Sequence, residues 1–213
     1  MRDEETGSWW QQVTGEAIQG PLKGQRLKPV YHDELTFALW KQEQPTGRVL
    51  RPDENIALAG KYAPANWEQR MSQVPVTSSV VPDKVLDQRT LVVGVRVNNA
   101  AKAYPLEALR KQNLILDELD GVPIFIVIGE DKQSVRAFER IVDGRKLEIF
   151  LKPNAKVFTL VDAETGSVWD FQGNAVSGEL QGKQLKKIAI LNDYWFDWMT
   201  YNPKTSVYKL GSQ

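Results

Sequence analysis

The chain contains no cysteine. Disulfides, thiolate metal centres and a cysteine nucleophile are therefore excluded. It has one histidine, His32, so a zinc site would have to be completed by several carboxylates. Its imidazole is a candidate general base by residue type. Neither charge sign prevails: 27 basic residues face 27 acidic ones, net zero. That leaves no long-range attraction for nucleic acid or an anionic membrane surface. No apolar run approaches the roughly 18 residues of a membrane-spanning helix. Residues 1–5 are polar and acidic, unlike a secretory signal. G-x-G-x-x-G, the phosphate-binding loop, H-E-x-x-H, the G-x-S-x-G elbow and a calcium loop are all missing. No cofactor and no metal are expected.

What is present suits an ordinary soluble core. The 213 residues are 42% apolar and 25% charged, enough for one large domain or two small ones. The most informative feature is a repeat. Asp3-Glu4-Glu5-Thr6-Gly7-Ser8-Trp9-Trp10 matches Asp162-Ala163-Glu164-Thr165-Gly166-Ser167-Val168-Trp169 at six of eight positions. The likeness continues from Gly15, Gly20 and Gly24 to Gly173, Gly178 and Gly182. It then places Phe37 on Trp195, Trp40 on Trp198 and Pro45 on Pro203. Glycine, tryptophan and proline kept in step over this length read as two copies of one unit.

Each copy predicts a Thr-Gly-Ser turn, a short strand pair and a helix stopped by proline. In the first copy, His32 or Asp33 is expected to start the helix, and Leu35, Phe37, Ala38 and Trp40 to form its buried stripe. In the second, Asn192 or Asp193 is expected to cap it, with Trp195, Trp198 and Met199 on one face. Val49-Leu50 and Val207-Tyr208 are expected to return as strands. His32 faces Ile190 in this alignment, so the unit itself does not need a histidine. A solvated residue ahead of a helix is the simpler reading.

Between the copies, residues 52–82 read as a long ordered loop anchored by Tyr62, Trp67 and Met71, with a possible rim or lid role. Residues 91–97 form an apolar strand turning at Asn98-Asn99, and Pro105 opens a short helix. Asp120-Gly121 and Asp143-Gly144 are hairpin turns. They separate the runs 115–119, 122–128, 135–141 and 146–151, and residues 157–161 lead into the second Thr-Gly-Ser unit. The fold class is thus α+β and β-rich, with antiparallel hairpins, short helices and an internally duplicated unit. The divisions are 1–51 (an incomplete first copy), 52–90 (the loop or crossing) and 91–213 (central hairpins plus the second copy), all in one compact domain.

These residues resemble domain-of-unknown-function family 3179, found in bacteria and archaea, over nearly the whole chain. The family pattern G-V-x-V-x-G-x-A-x-A-Y-P-L falls on residues 94–106, with Asn99 in place of its second glycine. The pattern N-D-x-x-G-G-x-P falls on residues 116–123, with Leu116 for the asparagine and Asp120 for the first glycine. The resemblance implies a longer protein of two related halves, often behind a signal or lipoprotein peptide, and hence a place outside the cytoplasm. This chain corresponds to the second half plus the tail of the first. Family members often carry a cysteine pair in the first half. Ile128-Gly129-Glu130-Asp131, the nearest local equivalent, has none, so no metal, haem or redox role carries over. A truncated first copy would expose an unpaired strand edge and favour self-association or a partner that supplies the missing strand.

Candidate sites follow from residue type. Adjacent Asp117 and Glu118 point to opposite faces of a strand, so a paired-carboxylate site needs a bend there, and turn solvation is the simpler account. Tyr104, Arg110 and Arg136 are candidates for an anion-binding group, because arginine reads a carboxylate with two parallel bonds. Trp9, Tyr31 and Tyr194 are not duplicated and are the candidate surface aromatics for a ligand, whereas the paired tryptophans are expected in the core. The leading function is a non-catalytic binding or scaffolding module for an unidentified ligand. The alternatives are an enzyme using Asp117 or Glu118 with Arg110 or Arg136 as a clamp, and a structural remnant of a longer protein.

Overall fold

The computed structural model describes residues 1–28, 30–51, 53–58, 60, 63–76, 85–153, 155 and 158–209. Its elements are β1 (Trp9–Trp10), β2 (Ala17–Gln19), α1 (Phe37–Glu43), α2 (Glu54–Leu58), α3 (Trp67–Gln73), β3 (Leu91–Val97) and β4 (Ala100–Pro105). Then come α4 (Leu106–Gln112), β5 (Leu114–Leu119), β6 (Val122–Ile128), β7 (Val135–Glu139), β8 (Ile141–Val142), β9 (Arg145–Lys146) and β10 (Ile149–Leu151). The chain ends through β11 (Leu160–Asp162), β12 (Val168–Trp169), β13 (Ala175–Ser177), β14 (Lys187–Ile188), β15 (Ile190–Tyr194), α5 (Trp195–Tyr201) and β16 (Ser206–Val207). Two compact units result, Met1–His32 and Asp33–Gln213. The protein is β-rich with antiparallel hairpin sheets and short helices. The one parallel pairing among the described strands is β16 on β4.

In the larger unit, β6 is the central strand. Its near-continuous apolar sequence serves two cores, because successive side chains leave opposite faces. Ile124, Ile126 and Ile128 join Val93, Tyr104 and Leu109 on one side. Phe125 and Val127 join Phe138, Trp169 and Phe171 on the other. The order β14-β7-β6-β5 makes one sheet and β15-β3-β4-β16 a second. Only Ala189 separates β14 from β15, so one extended segment passes from the first sheet into the second. Asn98, Asp120 and Asp143 adopt positive φ at the three hairpin turns, as short polar side chains tolerate. The run expected over residues 135–141 breaks at buried Arg140. Its side chain donates to the carbonyls of Ile124 and Leu147, while its backbone donates to Pro123 O and accepts from Leu147 N between β7 and β8.

Several local expectations are corrected. The N-cap of α1 is Thr36, whose hydroxyl accepts from Leu39 N. Neither His32 nor Asp33 caps it. The N-cap of α5 is Tyr194, with no side-chain cap bond, because β15 runs straight into the helix. Phe37 is 66% exposed and Ala38 is exposed as well. Only Leu35 and Leu39 of this segment pack on the core. On α5, Trp195 and Trp198 are buried and Met199 packs beside them. Val49-Leu50 forms no strand. The stretch after residue 52 contains α2 and α3, and Trp67 is 50% exposed, so it is no anchor. Tyr62 and Val157 lie outside the described residues.

The repeated segments carry the same bonds. Asp162 Oδ1 accepts from the Thr165 backbone and hydroxyl at 2.6 and 2.7 Å, and Oδ2 accepts from Trp169 Nε1 at 2.9 Å. Asp3 Oδ1 accepts from the same groups of Thr6 at 2.6 and 2.8 Å, and its Oδ2 from Trp10 Nε1 at 2.7 Å. Ser167 Oγ accepts from Leu180 N at 2.9 Å and Ser8 Oγ from Leu22 N at 3.1 Å. Gly178 and Gly20 have φ 96° and 100°, and a Cβ on either would stand 2.6 or 2.7 Å from the serine Cα. Both positions therefore require glycine. Before Trp9, Arg2 bridges to it and Trp10 N donates to Met1 O at 2.7 Å. Residues 1–3 thus occupy the place that β11 takes beside β12.

Burial differs between the two networks. Asp162 and Trp169 are fully buried, while Asp3 and Trp10 are half-buried. Trp169 Nε1 would lose its acceptor away from water, and the two half-buried Thr165 donors would lose theirs as well. Asp162→Ala is accordingly expected to cost on the order of 3 kcal/mol and lower the melting temperature by roughly 9 °C. Asp3→Ala should shift it far less, because water replaces the carboxylate. Thermal denaturation followed by circular dichroism checks the pair, and equal shifts would contradict this account.

Candidate functional site

Residues 33–43 form a strap across one face of the larger unit, and the end of β7 fixes it. Alternation on the strand places Ser134, Arg136 and Phe138 on one side. Arg136 is 3% exposed in its side chain. It grips Glu43 with two bonds of 2.7 and 2.8 Å and reaches Asp33 at 2.8 Å. Lys187 of β14 meets the same Asp33 oxygen at 2.7 Å. The guanidinium stands 4.7 Å from the Phe171 ring centroid, and its buried Nε has no partner. Desolvation works against the charge, but the Glu43 and Asp33 bonds outweigh it and raise the arginine pKa. Burial likewise works to raise Asp33, and the Arg136 and Lys187 bonds more than offset it, so its carboxyl stays below the usual range.

A second pin lies one turn of loop away. Thr36 N donates to Ser134 Oγ at 3.0 Å and Thr36 Oγ1 to Asp131 at 2.8 Å. Asp131 also accepts from Ser134 Oγ and from the backbone of Gln133 and Ser134. Burial works to raise its carboxyl, and these bonds hold it below the ordinary value.

The strap has a cavity on each side, and Thr36 lines both. The first, about 400 Å³, lies between α1 and the loops at Asp131 and Phe171, with Leu39, Phe158, Glu130 and Asp170 among its walls. Phe158 and Phe171 meet edge to face at 5.0 Å. The second, about 620 Å³, is bounded by Asp33, Glu34, Leu91, Val93, Leu106, Arg110 and Asn192. A smaller one of about 180 Å³ adjoins the first at Gly129, Glu130 and Phe158.

Beside the second cavity, Asn192 donates to Glu34 at 2.8 Å. Burial first, then the charges of Asp197 and Glu34, push Asp193 up to about 6. Its folded pKa is raised, so the stability linked to its protonated form is present below the unfolded pKa of about 4 and is lost as pH rises through 6. Asp193→Asn keeps an acceptor for Tyr194 N, which the aspartate holds at 2.8 Å. The variant should melt about 2 °C higher at pH 7.5 and little differently at pH 4. Melting curves at the two pH values check this, and a loss of stability at pH 7.5 would contradict it.

The sequence candidates are scattered. Tyr104 is fully buried and donates to Asp117 at 2.8 Å, while Lys102 meets the same carboxylate at 2.6 Å. Burial first, and then the Asp117 bond and charge, raise the tyrosine pKa beyond reach. Tyr208 stacks on Tyr104 at 5.6 Å. Glu118 is exposed and meets Lys146 at 3.5 Å. Arg110 bonds Glu107 and the Lys132 carbonyl, and it borders the second cavity. The structure thus joins Tyr104 to Asp117 but brings neither Asp117 nor Glu118 to the guanidinium of Arg110 or Arg136. Trp9 and Tyr31 are exposed at 48% and 62%. Tyr194 stacks with Phe196 under Arg89. None of these three lines the cavities described above. Sequence reasoning missed Glu43, Thr36, Asp131 and Ser134. Arg136 itself was a sequence candidate for gripping a carboxylate, but its partners lie 93 and 103 residues away and left no local trace.

The profile of a family described as "Protein of unknown function (DUF3179)" matches residues 1–205. The chain belongs to this family. Comparison with curated proteins and with solved structures gave no match.

Proposed function

We propose that this member of the DUF3179 family is a non-catalytic binding module, and that its ligand occupies the 400 Å³ cleft beside α1. The observation carrying this reading is the strap. Arg136, Asp131 and Ser134 hold residues 33–43 in place with ionic and hydroxyl bonds, so the cleft exists before a ligand arrives. Its volume falls in the range of small-molecule sites, and Leu39, Phe158 and Phe171 give it an apolar floor among polar walls. A preformed wall also spares the ligand the entropy of ordering a loop. The bonds shared by Asp3 with Asp162 and Ser8 with Ser167 support reading the two segments as copies of one structural unit. In that reading the first copy's helix has been turned to cleft-building while the second copy's helix packs in the core.

Ala38 lines the cleft from an exposed position on α1. Ala38→Trp should fill the opening without disturbing the core. A fragment set screened by thermal shift against wild type and Ala38→Trp tests the reading. Fragments that raise the wild-type melting temperature by 1 °C or more and lose that effect in Ala38→Trp are expected. A screen that is empty, or unchanged by the substitution, would overturn it.

A further inference from the structure

We infer that the ligand of this cleft is an organic cation, an ammonium group on an apolar body of about ring size. The inference rests on the binding reading above and adds the chemical class. Among the described lining residues, four are carboxylates, Glu43, Glu130, Asp131 and Asp170, and none is basic. Glu43 and Asp33 are matched by Arg136 and Lys187, two charges against two. The other three carboxylates make no ion pair with a described residue. Asp131 stays ionised, held by its hydroxyl and backbone donors despite burial. It therefore contributes field, its lone pairs being taken. Among the described residues the Asp170 carboxylate accepts only from Asn174 N and Nδ2, which leaves lone pairs for a ligand donor. Glu130 is exposed and has no described partner.

The rings supply the rest. Arg136 already stands over Phe171, whereas no described cation stands over Phe158, the half-buried ring packed edge to face against it. A ligand ammonium near Phe158 gains attraction from the ring face as well as from the carboxylates. Among the described residues no group of carboxylates is gathered closely enough to hold a metal ion, so the negative field is spread along the cleft, as an extended organic cation requires. An anion is repelled by the same walls, and a neutral molecule gains nothing from them.

Calorimetric titration with 2-phenylethylammonium, 2-phenylethanol and phenylacetate separates these cases, because the three share a body and differ in charge. The ammonium should bind at least tenfold more tightly than the alcohol, and phenylacetate should not bind. Raising the salt should narrow the gap, and Glu130→Gln, at an exposed site, should narrow it several-fold while the alcohol's affinity stays unchanged. Alcohol or phenylacetate binding as tightly as the ammonium, and abolished by Ala38→Trp, would overturn the cationic class while leaving the binding reading intact. Ammonium binding that survives Ala38→Trp would overturn the assignment of the site. Failure of all three probes would also overturn the cationic class, and the fragment screen then decides the binding reading on its own.

Discussion

Arg136→Met is expected to lower the free energy of unfolding by about 4 kcal/mol and the melting temperature by roughly 12 °C. The cause is less the loss of attraction than what is left behind. Glu43, 12% exposed in its side chain, would lose both of its charged hydrogen bonds, and Asp33 would retain only Lys187. A buried carboxylate without its partner is far costlier than the pair is favourable. The double variant Arg136→Met/Glu43→Met should therefore recover at least about 1 kcal/mol of the loss, a coupling readable in a double-mutant cycle. Urea denaturation of the four proteins tests this. Additive losses would mean that Arg136 acts through packing on Phe171 alone.

Gly94→Ala should be nearly as damaging. Gly94 lies mid-strand in β3, opposite Leu191 of β15 and Ala103 of β4. Its φ is not what demands glycine. A Cβ there would stand only 2.2 Å from Cζ3 and 2.3 Å from Cε3 of Trp198, and that residue is 2% exposed, pinned by Nε1 donating to Thr205 at 2.9 Å and covered by Arg96 at 5.5 Å. Neither the strand nor the indole can yield cheaply, so the overpacking should cost about 3 kcal/mol. In a Trp198→Leu background, where the ring is gone, the same substitution should cost less than about 1 kcal/mol. Equal costs in the two backgrounds would show that the clash is relieved by backbone movement instead.

The legible part of this fold is the part encoded by neighbours in sequence. Asn98, Asp120 and Asp143 each sit at a two-residue turn whose chemistry is local, and all three have the positive φ that such a turn needs. Burial of residues 122–128 on both faces is seen only once the two cores are built on them, but their apolar run marked a strand. Likewise, Trp195, Trp198 and Met199 showed the buried side of α5, because helical spacing is local as well. What local pattern could not show is how α1 and α5, aligned residue for residue, came to be used differently. Phe37 and Trp40 stack on each other at 5.6 Å with Phe37 largely exposed, while their counterparts are core. The difference lies in what each helix meets: α5 has β3 with its glycine, while α1 and the segment before it turn Leu39 and Leu35 inward instead. The strap was equally hidden. Ser134 and Arg136 are two residues apart on one strand, but Thr36, Asp33 and Glu43 reach them from about a hundred residues earlier, and no spacing rule connects the two.

The central claim is that the cleft between α1, Asp131 and Phe171 receives a small ligand. Backbone amide NMR spectra, recorded while a fragment retained from the screen is titrated, test it most directly. The account predicts saturable shifts concentrated at Ala38, Leu39, Gly129, Asp131, Phe171 and Gln172, with the Tyr104–Asp117 region unmoved and the shifts absent in Ala38→Trp. Shifts centred on Asp117, Glu118 and Lys102 instead, with the cleft amides silent, would contradict it.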